Sequence, residues 1–191
     1  MKIILASSSK RRIDIMKQLG FEFEVISPNV SEFVDSFTSS DDLVMKLAKM
    51  KGEAVYISHQ DDFVLGFDTL VFLNDGEILG KPQNEEECVK MIKALSNSEH
   101  KVVTGVYLKA SDYEESFASS CLVHMKEIPE EEIYRYAKTS EPYDKAGGYA
   151  VQGFVGRFID YVEGDIFSVI GFPKAEVYEK LSHYFKGEKD R

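Results

Sequence analysis

Apolar positions along the chain recur with three different spacings. Lys2 to Ala6 and Phe63 to Leu73 are almost continuously apolar, as in strands covered on both faces. "FEFEVIS" (Phe21 to Ser27) alternates with period two and reads as a strand, broken by Pro28 and Asn29 before the irregular "VSEFVD". Lys101 to Leu108 and Phe117 to Met125 read as an antiparallel pair, and "VGRFIDYVEGD" alternates again near residue 160. Asp75-Gly76 supplies a hairpin turn from the long apolar strand into Glu77 to Leu79.

Helical spacing fills the intervals. Ile13, Met16 and Leu19 recur at a helical interval until Gly20 stops them. Ser39 to Ser58 begins with capping residues and acids suited to the helix dipole, then places Leu43, Leu47, Met50 and Ala54 on one stripe. Asn84 to Ala94 is an acidic-led helix. Pro129 opens another with Glu130, Glu131 and Glu132 in its first turn, and Pro173 begins a last one reaching about Phe185.

Three features break these patterns. Lys10, Arg11 and Arg12 occupy the first turn of a helix, where the dipole is already positive. Lys51 lies four residues after Leu47, on the apolar stripe; its amine either snorkels to water or points into a cleft. Asp68 interrupts the buried strand and requires a cation, a metal or several donors, as a structural salt bridge or as a catalytic carboxylate. The hairpin can bring Lys81, set between Gly80 and Pro82, towards Asp68. "EPYDKAGGYAVQGFVG" (Glu141 to Gly156) holds four glycines but matches neither a P-loop nor a dinucleotide fingerprint, and by itself reads as a turn-rich loop.

Composition narrows the chemistry. The 191 residues are 43% apolar, enough for one domain with a sizeable core, divided into two lobes around a cleft. A net charge of -10 argues against a long phosphate track such as duplex DNA, but admits a small anion received by a local cationic pocket with a metal ion. No apolar run approaches the roughly 18 residues of a membrane span, and no leader is recognisable, so a soluble, unprocessed protein is expected. Cys88 and Cys121 form no framework, which suits the cytoplasm, and His59, His100, His124 and His183 are scattered without metal-binding spacing.

The unusual residues form one set. Ser7, Ser9, Arg11 and Arg12 surround a helix N-terminus suited to an anion, Lys51 and Lys81 add flexible cations, and Glu32 and Asp68 add carboxylates for a hard divalent ion. Cations with a carboxylate pair are the parts required for phosphoryl or nucleotidyl chemistry.

Five segments carry a resemblance: "LASSSKRR" (Leu5 to Arg12), "GFDT" (Gly66 to Thr69), "GKP" (Gly80 to Pro82), "DKAGGYAVQG" (Asp144 to Gly153) and "VIGFP" (Val169 to Pro173). In this order they resemble the Maf family of nucleoside triphosphate pyrophosphatases, related in fold to the inosine triphosphate pyrophosphatases, over nearly the whole chain. The resemblance implies an α/β fold with an elongated, twisted mixed sheet, flanking helices and two lobes around a deep central cleft. It implies cleavage of a nucleoside triphosphate between the α and β phosphates, and a homodimer. By motif, Asp68 is the proton acceptor and Glu32 its partner for Mg²⁺ or Mn²⁺, while Ser7, Arg11, Lys51 and Lys81 hold the triphosphate. Arg12, Thr69 and Gln152 are similar to the branch acting on dTTP and UTP. The alternatives are the same chemistry on ITP or 7-methyl-GTP, or a nucleotide-binding regulator of cell division and septum formation. Two residues depart from the family pattern: Lys10 replaces a proline, and Phe67, beside Asp68, replaces an alanine, where it either narrows the pocket or faces the core.

Overall fold

The computed structural model describes residues 1–189, with side chains through Phe185. Strands β1 (Ile3–Ala6), β2 (Phe23–Val25), β3 (Phe63–Leu73), β4 (Ile78–Leu79), β5 (Glu99–Ala110), β6 (Tyr113–Met125) and β7 (Ile159–Gly164) form one sheet. Its order is β2-β1-β3-β5-β6-β7, with β4 beside the far end of β3. β1 pairs parallel with β2 and β3; every other pair is antiparallel, so the sheet is mixed. The helices are α1 (Lys10–Gln18), α2 (Ser40–Tyr56), α3 (Glu85–Leu95), α4 (Glu130–Ala137), α5 (Ile166–Ile170) and α6 (Lys174–Lys189). None among the described residues is long and apolar enough to cross a membrane.

Local chemistry explains most boundaries. The Ser39 side chain accepts from the Asp42 amide at 3.1 Å to start α2, and Asn84 accepts from the Glu87 amide at 2.9 Å to start α3. Differences from the sequence pattern arise where tertiary contacts decide. β2 keeps three residues of "FEFEVIS", and the second hairpin is longer at both ends than expected. The short helix α5 has no counterpart in the pattern, and the glycine-rich loop resolves into three 3-10 turns at 142–144, 146–148 and 155–158.

The buried stripe of α2 is also rotated. Leu43, Val44, Leu47, Ala48, Gly52 and Val55 are buried, whereas Met50 and Ala54 are only partly so. Small residues draw this face inward, because α2 rests on the sheet backbone itself. A Cβ at Gly66 of β3 would lie 2.7 Å from the Gly52 nitrogen, and one at Gly105 of β5 would lie 2.8 Å from the Met45 nitrogen. Only hydrogen fits at either contact.

The opposite sheet face carries two apolar cores. One gathers Phe63, Leu65, Phe67, Val106 and Leu108 under Phe172, Val177 and Leu181. The other gathers Val71, Val102 and Val123 with Leu79, Ile92, Tyr136 and Tyr149. Thr69 and Thr104, paired across β3 and β5, interrupt the row between them, their hydroxyl oxygens 2.8 Å apart. The sheet edge is interrupted at the same level. β1 pairs with β3 only as far as Gly66, and β4 pairs with it only from Val71, leaving 67–70 without a strand neighbour on that side. A cleft enters through this gap, which is how it reaches residues from both sheet faces.

Candidate active site

The cleft is a cavity of about 320 Å³ lined by the edge of β3, the start of α1, Lys51 of α2, the Gly80-Lys81 turn and the 144–152 loop. Ser9, Arg11, Arg12, Glu32, Lys51, Asp68, Thr69, Lys81 and Gln152 all border it. Residues from six separate stretches of sequence thus converge. Ser7 does not reach the surface: it is buried behind the wall, where its hydroxyl accepts from the Ser9 amide at 3.2 Å.

Asp68 projects from β3 onto the α2 side, and the close backbone contact at Gly66 and Gly52 brings Lys51 against it. The Lys51 ammonium bonds Asp68 Oδ1 and lies 2.9 Å from Glu32 Oε1. The Lys51 and Asp68 side chains are 12% and 7% exposed, that of Glu32 52%. Lys51 therefore does not snorkel to bulk water; it borders the cleft, largely covered, as the partner of a buried carboxylate. Asp68 Oδ2 is buried and unpartnered among the described residues. Burial raises the Asp68 pKa above its ordinary 3.8, opposed by the charges of Lys51 and Arg12 and reinforced by Glu32. One oxygen anchored, the other bare and more basic than usual, is the disposition of a proton acceptor.

Arg12 is built into the wall. Its Nε donates to Gly171 O at 2.8 Å, Nη1 to Phe67 O at 3.3 Å and Nη2 to Thr69 Oγ1 at 3.0 Å. Burial lowers its pKa to about 10, partly offset by the charge of Asp68. Phe67 lies under this guanidinium and stacks on Phe172 with centroids 4.7 Å apart. It belongs to the core and leaves the cavity free.

The remaining cations differ in freedom. Lys81 Nζ has no partner among the described residues, and Lys10 is exposed and outside the cavity lining. Arg11 Nη1 lies 3.6 Å from Asp144 Oδ2, bridging α1 and the late loop across the cleft. Lys145 is held by Asp144 Oδ1 and by the Glu141 carbonyl. Asp144, Lys145 and Tyr149 line the cavity although sequence reasoning gave them no role. The available signal was the pair of glycines that follows: Gly147 and Gly148 adopt φ of 65° and 72°, and the Gly147 amide donates to Gly80 O at 2.8 Å, docking this loop beside Lys81.

The donor set also bears on a divalent ion. The Asp68 and Glu32 carboxylates both border the cavity and are hard oxygen donors of the kind that could hold Mg²⁺ or Mn²⁺. No group of three or more His, Cys, Asp or Glu that could hold a metal converges among the described residues.

The chain is similar to known proteins in sequence and in fold. A dTTP/UTP pyrophosphatase of Caldicellulosiruptor saccharolyticus is 42% identical over 183 residues, covering 90% of this chain and 89% of its own. A dTTP/UTP pyrophosphatase of Bacillus cereus is 40% identical, covering 96% and 95%. Among solved structures, the Ham1 protein of Staphylococcus aureus superposes with a TM-score of 0.55 at 18% identity over 98% of this chain and 100% of its own, a likeness of fold alone. The family model described as Maf-like protein matches residues 2–184, which takes in every wall of the cleft, and the chain belongs to that family.

Proposed function

We propose that this protein hydrolyses dTTP and UTP between the α and β phosphates, releasing the nucleoside monophosphate and pyrophosphate. The observation that carries the reading is Asp68: a buried carboxylate bordering a cavity rimmed by Arg11 and Lys81, with one oxygen tied to Lys51 and the other buried without a partner among the described residues. Relatives at about 40% identity bearing the name dTTP/UTP pyrophosphatase support the same choice.

In this mechanism Arg11 and Lys81 take up triphosphate oxygens, with Ser9 at the N-terminus of α1, and Ser7 supports that turn from behind. Substrate phosphates displace Asp144 from Arg11. Asp68 Oδ2 removes a proton from the attacking water as the oxygen–phosphorus bond forms, the α–β bridging bond breaks and pyrophosphate leaves. Lys51 keeps Asp68 oriented and ionised. Glu32 and Asp68 would hold the divalent cation, which when bound withdraws charge from phosphate oxygens and makes water more acidic. Arg12, Thr69 and Gln152 form the base-recognising side. The chain works as one two-lobed domain, and buried, unpaired Cys88 and Cys121 support a cytoplasmic setting.

The test is a panel of dTTP, UTP, CTP, ITP, GTP and 7-methyl-GTP with Mg²⁺, scored for pyrophosphate against phosphate. Pyrophosphate from dTTP and UTP first is the expected result. Single phosphate release defeats the mechanism, and preference for a purine defeats the substrate assignment.

A further inference from the structure

The two threonines that separate the cores form a hydrogen-bonded chain whose direction is determined at both ends. At one end Arg12 Nη2, which has only protons to offer, lies 3.0 Å from Thr69 Oγ1, so Thr69 accepts there. At the other, Thr104 Oγ1 lies 2.7 Å from the carbonyl oxygen of Ser168, which has no proton, so Thr104 donates there. Thr104 and Ser168 are fully buried, and two facing lone pairs at that distance in a dry core would be strongly unfavourable. Thr104 has spent its only proton. The 2.8 Å contact between the two hydroxyls therefore uses the Thr69 proton, and Thr69 donates to Thr104.

Thr69 borders the cavity, so this has a consequence for ligands. Its proton is committed inward and one lone pair to Arg12, leaving a lone pair to offer. On its core side the hydroxyl is packed against Gly171, where a Cβ would lie 2.9 Å from Thr69 Oγ1. A phosphate oxygen is itself an acceptor and is repelled by this position. A ring N–H is accepted.

We infer that Thr104, which touches no ligand, is a positioning residue that locks Thr69 as a pure hydrogen-bond acceptor and thereby selects bases carrying a ring N–H, uracil and thymine, over cytosine, whose corresponding ring nitrogen is bare. This rests on the pyrimidine triphosphate reading above and supplies its physical basis. Removing the Thr104 hydroxyl frees the Thr69 proton, and the hydroxyl can then rotate and donate to cytosine.

The experiment compares kcat/KM for UTP and CTP in wild type, Thr104→Val, Thr104→Ser and Thr104→Cys, with thermal midpoints recorded to establish folding. Thr104→Val, close in shape but without a donor, is expected to lower the UTP-to-CTP ratio about tenfold or more, chiefly through a lower KM for CTP. Thr104→Ser, which retains the donor, keeps the ratio within about threefold. Thr104→Cys, a weak donor, moves it in the direction of valine by less and serves alone if the valine variant does not fold. A ratio unmoved in the valine or, failing that, the cysteine variant overturns the inference. So does an equal shift in the serine variant, or a wild type indifferent between UTP and CTP. A wild type inert towards every nucleotide defeats the hydrolytic reading instead; calorimetric binding of UMP against CMP to the same variants then tests the relay, with the same ratios expected.

Discussion

Lys51→Met removes the charge that compensates Asp68 while keeping most of the stem that packs beneath α2. Asp68 is then a 7% exposed carboxylate with neither oxygen paired, since Oδ2 already has no partner. Breaking a buried ion pair on one side costs about 3–5 kcal/mol, most of it desolvation of the group left behind. The protein can escape that cost by protonating Asp68. A penalty of this kind, borne by the charged form alone, raises the carboxyl pKa further. Burial already raises that pKa above 3.8, and the variant extends the shift in the same direction. The sign follows: a folded-state pKa above the unfolded one contributes stability at low pH that is lost as pH rises through the folded value. Urea denaturation at pH 5, 6, 7 and 8 should therefore show Lys51→Met losing about 3 kcal/mol or more against wild type at pH 8 and markedly less at pH 5. Adding Asp68→Asn should shrink the loss to about 1–2 kcal/mol and make it independent of pH, because only unmade hydrogen bonds remain. An equal loss at pH 5 and pH 8, or no relief from the second substitution, would refute the account of Lys51 as the buried counter-ion.

Three further outcomes follow from the geometry. Asp68→Asn should cut pyrophosphate release by at least about 10²-fold while nucleotide affinity, measured by calorimetry, changes only a few-fold; wild-type turnover would remove Asp68 from the chemistry. Gly105→Ala drives a methyl group towards the backbone of α2, 2.8 Å from the Met45 nitrogen, and should cost about 1–3 kcal/mol in denaturation and lower kcat by displacing Lys51. Asp144→Asn releases the bridge to Arg11 and the bond to Lys145, so KM for the triphosphate should fall several-fold with kcat retained; an unchanged or higher KM would mean that Asp144 does not compete with substrate.

Much of the site was legible in order but not in arrangement. Lys51 and Asp68 were conspicuous because a charge within an apolar pattern is costly, and that cost holds in any fold. Whether they paired was not legible, since 17 positions of chain separate them and two glycines set the distance between helix and strand. The stripe of α2 departs from its hydropathy pattern for the same reason: hydropathy favours Met50 and Ala54, but the sheet backbone admits Ala48 and Gly52. Asp144 and Lys145 went unassigned because opposite charges next to each other look solvated until a loop places them over a cleft.

The sequence by itself determined the elements whose causes are local: the covered strand Phe63–Leu73, the capped starts of α2 and α3, and the residue types able to handle a phosphate ester. Those properties depend on spacing, side-chain hydrogen bonds and desolvation along a short length of chain. The tertiary structure alone decided that the pairing of β1 with β3 stops at Gly66 and that of β4 begins at Val71, opening the sheet edge beside Asp68 and Thr69. It alone decided that the Thr69 proton points away from the cavity, because the acceptor that ends that chain, the Ser168 carbonyl, lies 64 residues beyond Thr104. Hydrogen-bond direction is a property of the whole connected network, and a network is closed only by folding.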